Sequence, residues 1–234
     1  MPAEVRIRVD EGLFLKDPES TDLGRAILKE GIQLIDDLGY EYFTFKKLAT
    51  KIGSTEASVY RYFSSKRQLL KYIVSWYWHW LEYLLSLRTA GLGSPKRKIE
   101  TAIDVLIFVD STYSAMTYLD TKLLRRVIVA ESARVALTRE QKPREDKLFA
   151  GYIGLATMLK VMIKDLNPNY PFPMEFALTI LASVHRQIHH ADFISKDIDS
   201  GRVIKDKDRS TLVNFLNHLV DSTLSDEFPV AAVG

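Results

Sequence analysis

Apolar residues recur every three or four positions along most of this chain, and polar residues fill the intervals. Leu23, Ile27, Gly31, Leu34, Ile35 and Leu38 lie along one face, which predicts a first helix that Gly39 stops. Phe45, Leu48, Ala49 and Ile52 form the apolar face of a second helix that begins at Thr44 and ends at Gly53. A third runs from Thr55 to Phe63. Ser64 and Ser65 then precede a long fourth helix striped by Leu69, Leu70, Ile73, Trp76, Tyr77, Trp80, Leu81 and Leu84. After Gly91, Gly93 and Pro95, segments 99–109, 123–137, 148–166, 176–191 and 212–224 repeat the helical spacing. No segment sustains strand alternation beside turn signals, although 5–9 is a short alternating stretch with no evident partner. The expected class is all-α.

Residues 1–20 contain Gly12, Pro18 and mixed charge and read as a flexible arm. The expected organisation is that arm, a compact three-helix unit at 21–68, and a larger helical unit at 69–234.

Charge changes the picture. From Thr44 to Lys71 there are seven basic residues (Lys46, Lys47, Lys51, Arg61, Lys66, Arg67, Lys71) against the single acid Glu56, within a chain of net charge +2. Just upstream, residues 21–41 hold five acids against Arg25 and Lys29. A compact positive face on two short helices joined by a tight turn is what a DNA phosphate ladder attracts. Ala49 permits close crossing of those helices, and Gly53 is free to take positive φ at the turn.

The set Gly39-Tyr40, Thr44-Phe45, Leu48-Ala49, Gly53, Val59-Tyr60-Arg61-Tyr62-Phe63, Lys66 and Leu69-Leu70 resembles the DNA-binding domain of TetR-family transcriptional regulators. The resemblance spans about 23–70, and beyond it the likeness is architectural. Four positions depart from the family pattern. Phe43 replaces a common Thr or Ala, and Ser54 replaces an apolar turn residue. Ala57 replaces a glycine but is still small enough for docking. Glu56 is an acid where phosphates would repel it, unless it serves the helix N-terminus or accepts from a cytosine amino group.

By resemblance and by chemistry, Thr44, Tyr60, Tyr62 and Lys66 are the expected phosphate contacts, with core packing the alternative for both tyrosines. Ser54, Thr55, Glu56, Ser58 and Arg61 are the candidates for base edges, and Arg61 suits bidentate contact to guanine. Lys46, Lys47 and Lys51 read as a solvated face providing diffuse attraction. The resemblance further implies a repressor that binds a near-palindromic double-stranded operator as a homodimer, with a small-molecule effector bound by the later helices. Segments 176–191 and 212–224 are the expected dimer bundle, where Ala182 and Ser183 allow close contact; completing one subunit's core is the other reading.

Trp80, Phe108, Tyr113, Met116, Tyr152, Leu155, Leu159 and His185 could wall a pocket for a hydrophobic or aromatic effector, although such stripes are more often ordinary core. His185 and His189 lie one helical turn apart with Asp192 three residues on, but no ligand from another segment can be placed, and packing or hydrogen bonding is the other reading. His190 adds nothing that spacing alone interprets. No metal or cofactor is expected, and no catalytic constellation stands out.

The length of 234 residues and 47% hydrophobic content support a real core. The absence of cysteine excludes disulfides and thiolate metal sites. No apolar run approaches the ~20 residues needed to span a bilayer, and no signal-peptide core opens the chain, so a cytoplasmic protein without a membrane role is expected. Two rivals remain: a helical small-molecule-binding protein, and an interaction module without DNA.

Overall fold

A computed structural model describes the backbone of residues 7–112, 117–137, 148–197 and 206–225. The side chains of 110–112, 132–137, 189–197 and 206–208 lie outside that description. Among the described residues every regular element is helical: α1 (Asp22–Leu38), α2 (Phe45–Lys51), α3 (Glu56–Tyr60), α4 (Lys66–Thr89), α5 (Pro95–Thr112), α6 (Thr121–Leu137), α7 (Ala150–Leu166), α8 (Pro173–Asp197) and α9 (Asp206–Leu224). The protein is all-α. The chain divides into two compact units, Met1–Trp80 with Asp110–Gly151, and Leu81–Val109 with Tyr152–Gly234.

In the first unit, α1 starts where the Thr21 hydroxyl accepts the Gly24 amide at 3.0 Å, and it stops at Gly39, whose φ is +77°. Its buried face comprises Gly24, Ile27, Leu28, Gly31, Ile32 and Ile35. This face is rotated from the expected stripe, since Leu38 is exposed and Leu28 and Ile32 take its place in the core. Gly24 has to be glycine, because a Cβ there would overlap the Pro18 backbone. The early part of α4 departs further from a simple stripe: every residue from Tyr72 to Trp78 is buried. A helix buried all round behaves as a central strut.

The expectation of a flexible arm needs correction for residues 7–20. Asp10 and Asp17 cap two short 3-10 turns, Glu11–Leu13 and Pro18–Ser20. Ile7 and Leu13 are buried. The Leu15 amide donates to the Tyr62 carbonyl at 2.8 Å, and Gln68 Nε2 donates to the Gly12 carbonyl at 2.8 Å. Glu19 Oε1 accepts from both Trp76 Nε1, at 2.9 Å, and the Tyr118 hydroxyl, at 3.0 Å. Long-range hydrogen bonds make this segment a strap, and none of them is visible in local spacing. Residues 7–9 form no strand, and residues 1–6 lie outside the described part. Farther along, Arg126 of α6 grips Asp36 of α1 through two nitrogens, with Nε to Oδ1 at 2.8 Å.

In the second unit, α5 buries Ile99, Ala102, Ile103, Leu106 and Ile107, and α7 buries Leu155, Ala156, Leu159 and Ile163. Gly154 of α7 faces the Glu82 carboxylate, which a Cβ would meet. Lys96 pairs with Asp221 at 2.9 Å, and Asn167 Nδ2 donates to the Leu224 carbonyl at 3.1 Å, so the start of α5 and the end of α7 both tie to α9. Tyr170 packs edge-on against Phe172 and Phe176 at the α7–α8 turn. α8 and α9 both begin several residues before their expected starts, with Pro173 and Asp206 as their first residues.

Candidate nucleic-acid interface

Helices of seven and five residues, such as α2 and α3, are too short to hold themselves together in water. Their ends are closed by side chains instead. The Thr44 hydroxyl accepts the Lys47 amide at 3.2 Å, and the Thr55 hydroxyl accepts the Ser58 amide at 3.2 Å. Between them Gly53 takes φ +62°, and the Ser54 amide returns to the Ala49 carbonyl at 2.9 Å. Leu48, Ala49 and Val59 are buried between the two helices and the rest of the unit. Edge-to-face rings then lock α3 to the start of α2: Phe43 meets Phe45, and Phe45 meets Tyr60 with centroids 5.0 Å apart.

This packing leaves one side of α3 open. Thr55, Glu56, Ala57 and Arg61 are exposed, Tyr60 is 47% exposed, and Ser54 and Ser58 are half-buried. Thr44 is exposed at the start of α2. Among the described residues no acid pairs with Arg61 or Lys46. Lys51 pairs with Glu30 at 3.3 Å, and Lys47 Nζ donates to the Tyr42 carbonyl at 2.9 Å.

Two of the expected phosphate contacts sit elsewhere. Tyr62 is 2% exposed, and its hydroxyl shares a 2.8 Å hydrogen bond with Thr21. Its ring lies under Lys16, 5.2 Å from the ammonium. In this conformation Tyr62 is a core residue with a satisfied polar tip, and the phosphate role expected for it is revised accordingly. Lys66 points back across the α1–α2 loop. Its Nζ donates to the carbonyls of Tyr40, Glu41 and Phe43 at 3.1, 3.1 and 3.2 Å, and stands 4.7 Å over the Tyr40 ring.

One exposed residue escaped the sequence reading. Tyr42, two positions before Thr44, is 72% exposed. The aromatic run Tyr40, Tyr42, Phe43, Phe45 was visible in the sequence, but its alternation in burial was not.

The residues expected to wall an effector pocket are only partly accounted for. Trp80 belongs to the first unit and is buried. In the second unit Leu155 and Leu159 are buried, whereas Phe108, Tyr152 and His185 are half-buried. Burial pushes the Tyr152 phenol above its ordinary pKa. Tyr113 and Met116 lie outside the described residues. A tight apolar crevice in the first unit, with no room for a water molecule, is lined by Leu28, Ile32, Tyr72, Ile73, Trp76, Leu119 and Leu124, and by none of those eight. The side chains of His189, His190 and Asp192 also lie outside the description; among the described residues no three His, Asp or Glu side chains gather as a metal site. Among the same residues no helix is long and apolar enough to cross a membrane.

The geometry is that of a helix-turn-helix with an open, polar second helix. Residues 27–73 match the family described as bacterial regulatory proteins, tetR family. The whole chain resembles a tetR-family regulatory protein from Rhodococcus RHA1 (TM-score 0.63, 15% identity, covering 86% of this chain and 97% of the other). It also resembles the transcriptional regulator FadR from Bacillus subtilis, solved with stearoyl-CoA (TM-score 0.63, 14% identity, 85% and 98% covered). A third likeness is to AibR in complex with isovaleryl coenzyme A and operator DNA (TM-score 0.57, 18% identity, 87% and 98% covered). At these identities the structural likeness establishes the fold. No curated protein sequence matches the chain. Family signature and fold agree: residues 27–73 carry the tetR-family signature over the helix-turn-helix, and the chain as a whole has the fold of the tetR-family regulators.

Proposed function

We propose that the protein is a ligand-responsive repressor that binds a near-palindromic operator as a homodimer, with residues 21–68 reading DNA and 69–234 serving effector binding and dimerisation. The observation that carries the DNA half is the open face of α3, where Arg61 projects without an acidic partner among the described residues beside exposed Tyr60 and Glu56. On it Arg61 reads a base edge, and Thr44 and Tyr60 hold the phosphate backbone. Ser54, Thr55, Glu56 and Ser58 complete the candidate base-reading set.

The dimer half is supported by apolar surface on the last two helices. Leu178 of α8 and Phe215 of α9 are exposed, Phe215 by 49%, and small Ala182 is exposed one turn beyond Leu178. Contiguous exposed apolar patches mark association surfaces, and these side chains are the candidates for one. The effector presents a hydrophobic or aromatic group to the later helices. Because FadR and AibR were solved with acyl-CoA thioesters, an acyl-CoA is the first class to test. In this reading α4, one continuous helix with residues in both compact units, carries the coupling.

Selection of bound duplexes from a random pool tests the proposal. It should return two inverted half-sites about one helical turn, ~34–36 Å, apart. An effector should then weaken operator binding by a factor of roughly 5–150, reciprocally. Failure to retain any duplex in dilute buffer would overturn the DNA-binding reading.

A further inference from the structure

The α1–α2 loop, residues 40–43, raises a question of hydrogen-bond accounting. Four consecutive carbonyls in a tight loop need donors, and no regular element supplies them. Two lysines do. Lys66, reaching from the first turn of α4, takes the carbonyls of Tyr40, Glu41 and Phe43, and Lys47 of α2 takes the carbonyl of Tyr42. An ammonium has three N–H donors, and all three of Lys66 are spent on this loop. The Tyr40 ring covers part of the remaining surface of the charge at 4.7 Å.

The geometry points to Lys66 as a positioning residue for DNA recognition rather than a phosphate ligand: it bolts the α1–α2 loop to α4 and thereby sets where Thr44 and the exposed Tyr42 meet the duplex. This rests on the DNA-binding reading above, and it assigns Lys66 a task opposite in kind to the one expected from its charge. A phosphate ligand would have to abandon three carbonyls at once. A positioning residue keeps them and acts through the loop. Thr44 follows directly from Phe43, whose carbonyl Lys66 holds, and Thr44 caps α2. The loop therefore delivers both an expected phosphate contact and the start of the first helix of the motif. Arginine is a poor substitute in such a cage, because its planar fork cannot direct three donors toward three converging carbonyls. It is at least as good as lysine on a phosphate.

The test compares full-length wild type, Lys66→Met and Lys66→Arg on the pool-selected operator across a salt series, with amide exchange of residues 40–48 followed in the DNA-free protein. Salt-dependent binding by wild type is the check on the underlying function, and its absence condemns that reading separately from this one. With wild type binding, both variants should lose about tenfold or more in affinity. Exchange at 40–48 should rise, and the slope of log K against log salt should stay at the wild-type value. Three results would overturn the inference: Lys66→Arg binding as tightly as wild type, a slope for Lys66→Met shallower by about 0.9, the mark of one lost phosphate, or faster loop exchange with undiminished affinity, which would leave Lys66 merely stabilising. Should Lys66→Met fail to fold, the arginine variant alone still separates cage from phosphate, because only the cage rejects it.

Discussion

The helix-turn-helix and the C-terminal helices α8 and α9 use the same secondary structure for opposite ends. In the former, two very short helices are closed by hydroxyl caps and aromatic edges, and what they leave outside is polar: Thr55, Glu56 and Arg61. In the latter, helices of 25 and 19 residues leave apolar side chains outside, among them Leu178 and Phe215. A surface meant for DNA differs from a core in composition. A surface for a second protein copy, the role proposed above for α8 and α9, would not, which is why the first is marked in the chain and the second is hard to tell from interior packing.

Removing a ring that braces the short helices should show how little else holds them. Phe43 is fully buried and edge-packed on Phe45. Phe43→Ala should cost about 3–5 kcal/mol in a denaturant titration, with DNA binding lost before gross helicity. A loss below about 1 kcal/mol would mean that caps and backbone alone sustain the motif. On the other side of the comparison, Phe215→Asp should leave the fold intact, as expected for a half-exposed site, and should weaken self-association by about 2 kcal/mol or more. Light scattering at micromolar concentration should then report a monomer; an unchanged mass would place the subunit contact elsewhere.

Arg61→Ala should weaken operator binding by about 1–3 kcal/mol and relax preference at one base pair per half-site, read by competition among single-base variants of the operator. Equal loss on every sequence would demote Arg61 to a phosphate contact. The smallest effect concerns Tyr118, whose phenol donates to Glu19. Burial, then the Glu19 charge, push its pKa far above the ordinary 10.0. The folded state therefore holds that proton more tightly than the unfolded chain does. The stabilising contribution is complete below pH 10 and is lost as the pH climbs beyond it. Tyr118→Phe should flatten the decline of melting temperature in that alkaline range; an equally steep decline would assign it to other groups.

How much was legible depended on the range of the interaction that places each residue. Thr44 and Thr55 as caps, Gly39 and Gly53 as turns, and Arg61 facing outward all follow from neighbours within a few positions. The core of α4 was legible too, since its expected stripe is buried throughout. Tyr62 was read as dual, packing or phosphate, because its position in the motif is compatible with both. Its partner Thr21 lies 41 residues away and decides for packing.

Local spacing by itself thus determined the all-helical class, the helix ends of the DNA-binding motif and the side of α3 that faces out, because hydrogen-bond capping and helical periodicity act over one or two turns. Tertiary structure alone decided that Lys66 turns inward onto the loop carbonyls, that residues 7–20 strap the first unit, and that Glu19 joins Trp76 to Tyr118. Those outcomes depend on which donors and acceptors distant parts of the chain bring within about 3 Å, and a buried polar group takes whichever partner the fold delivers.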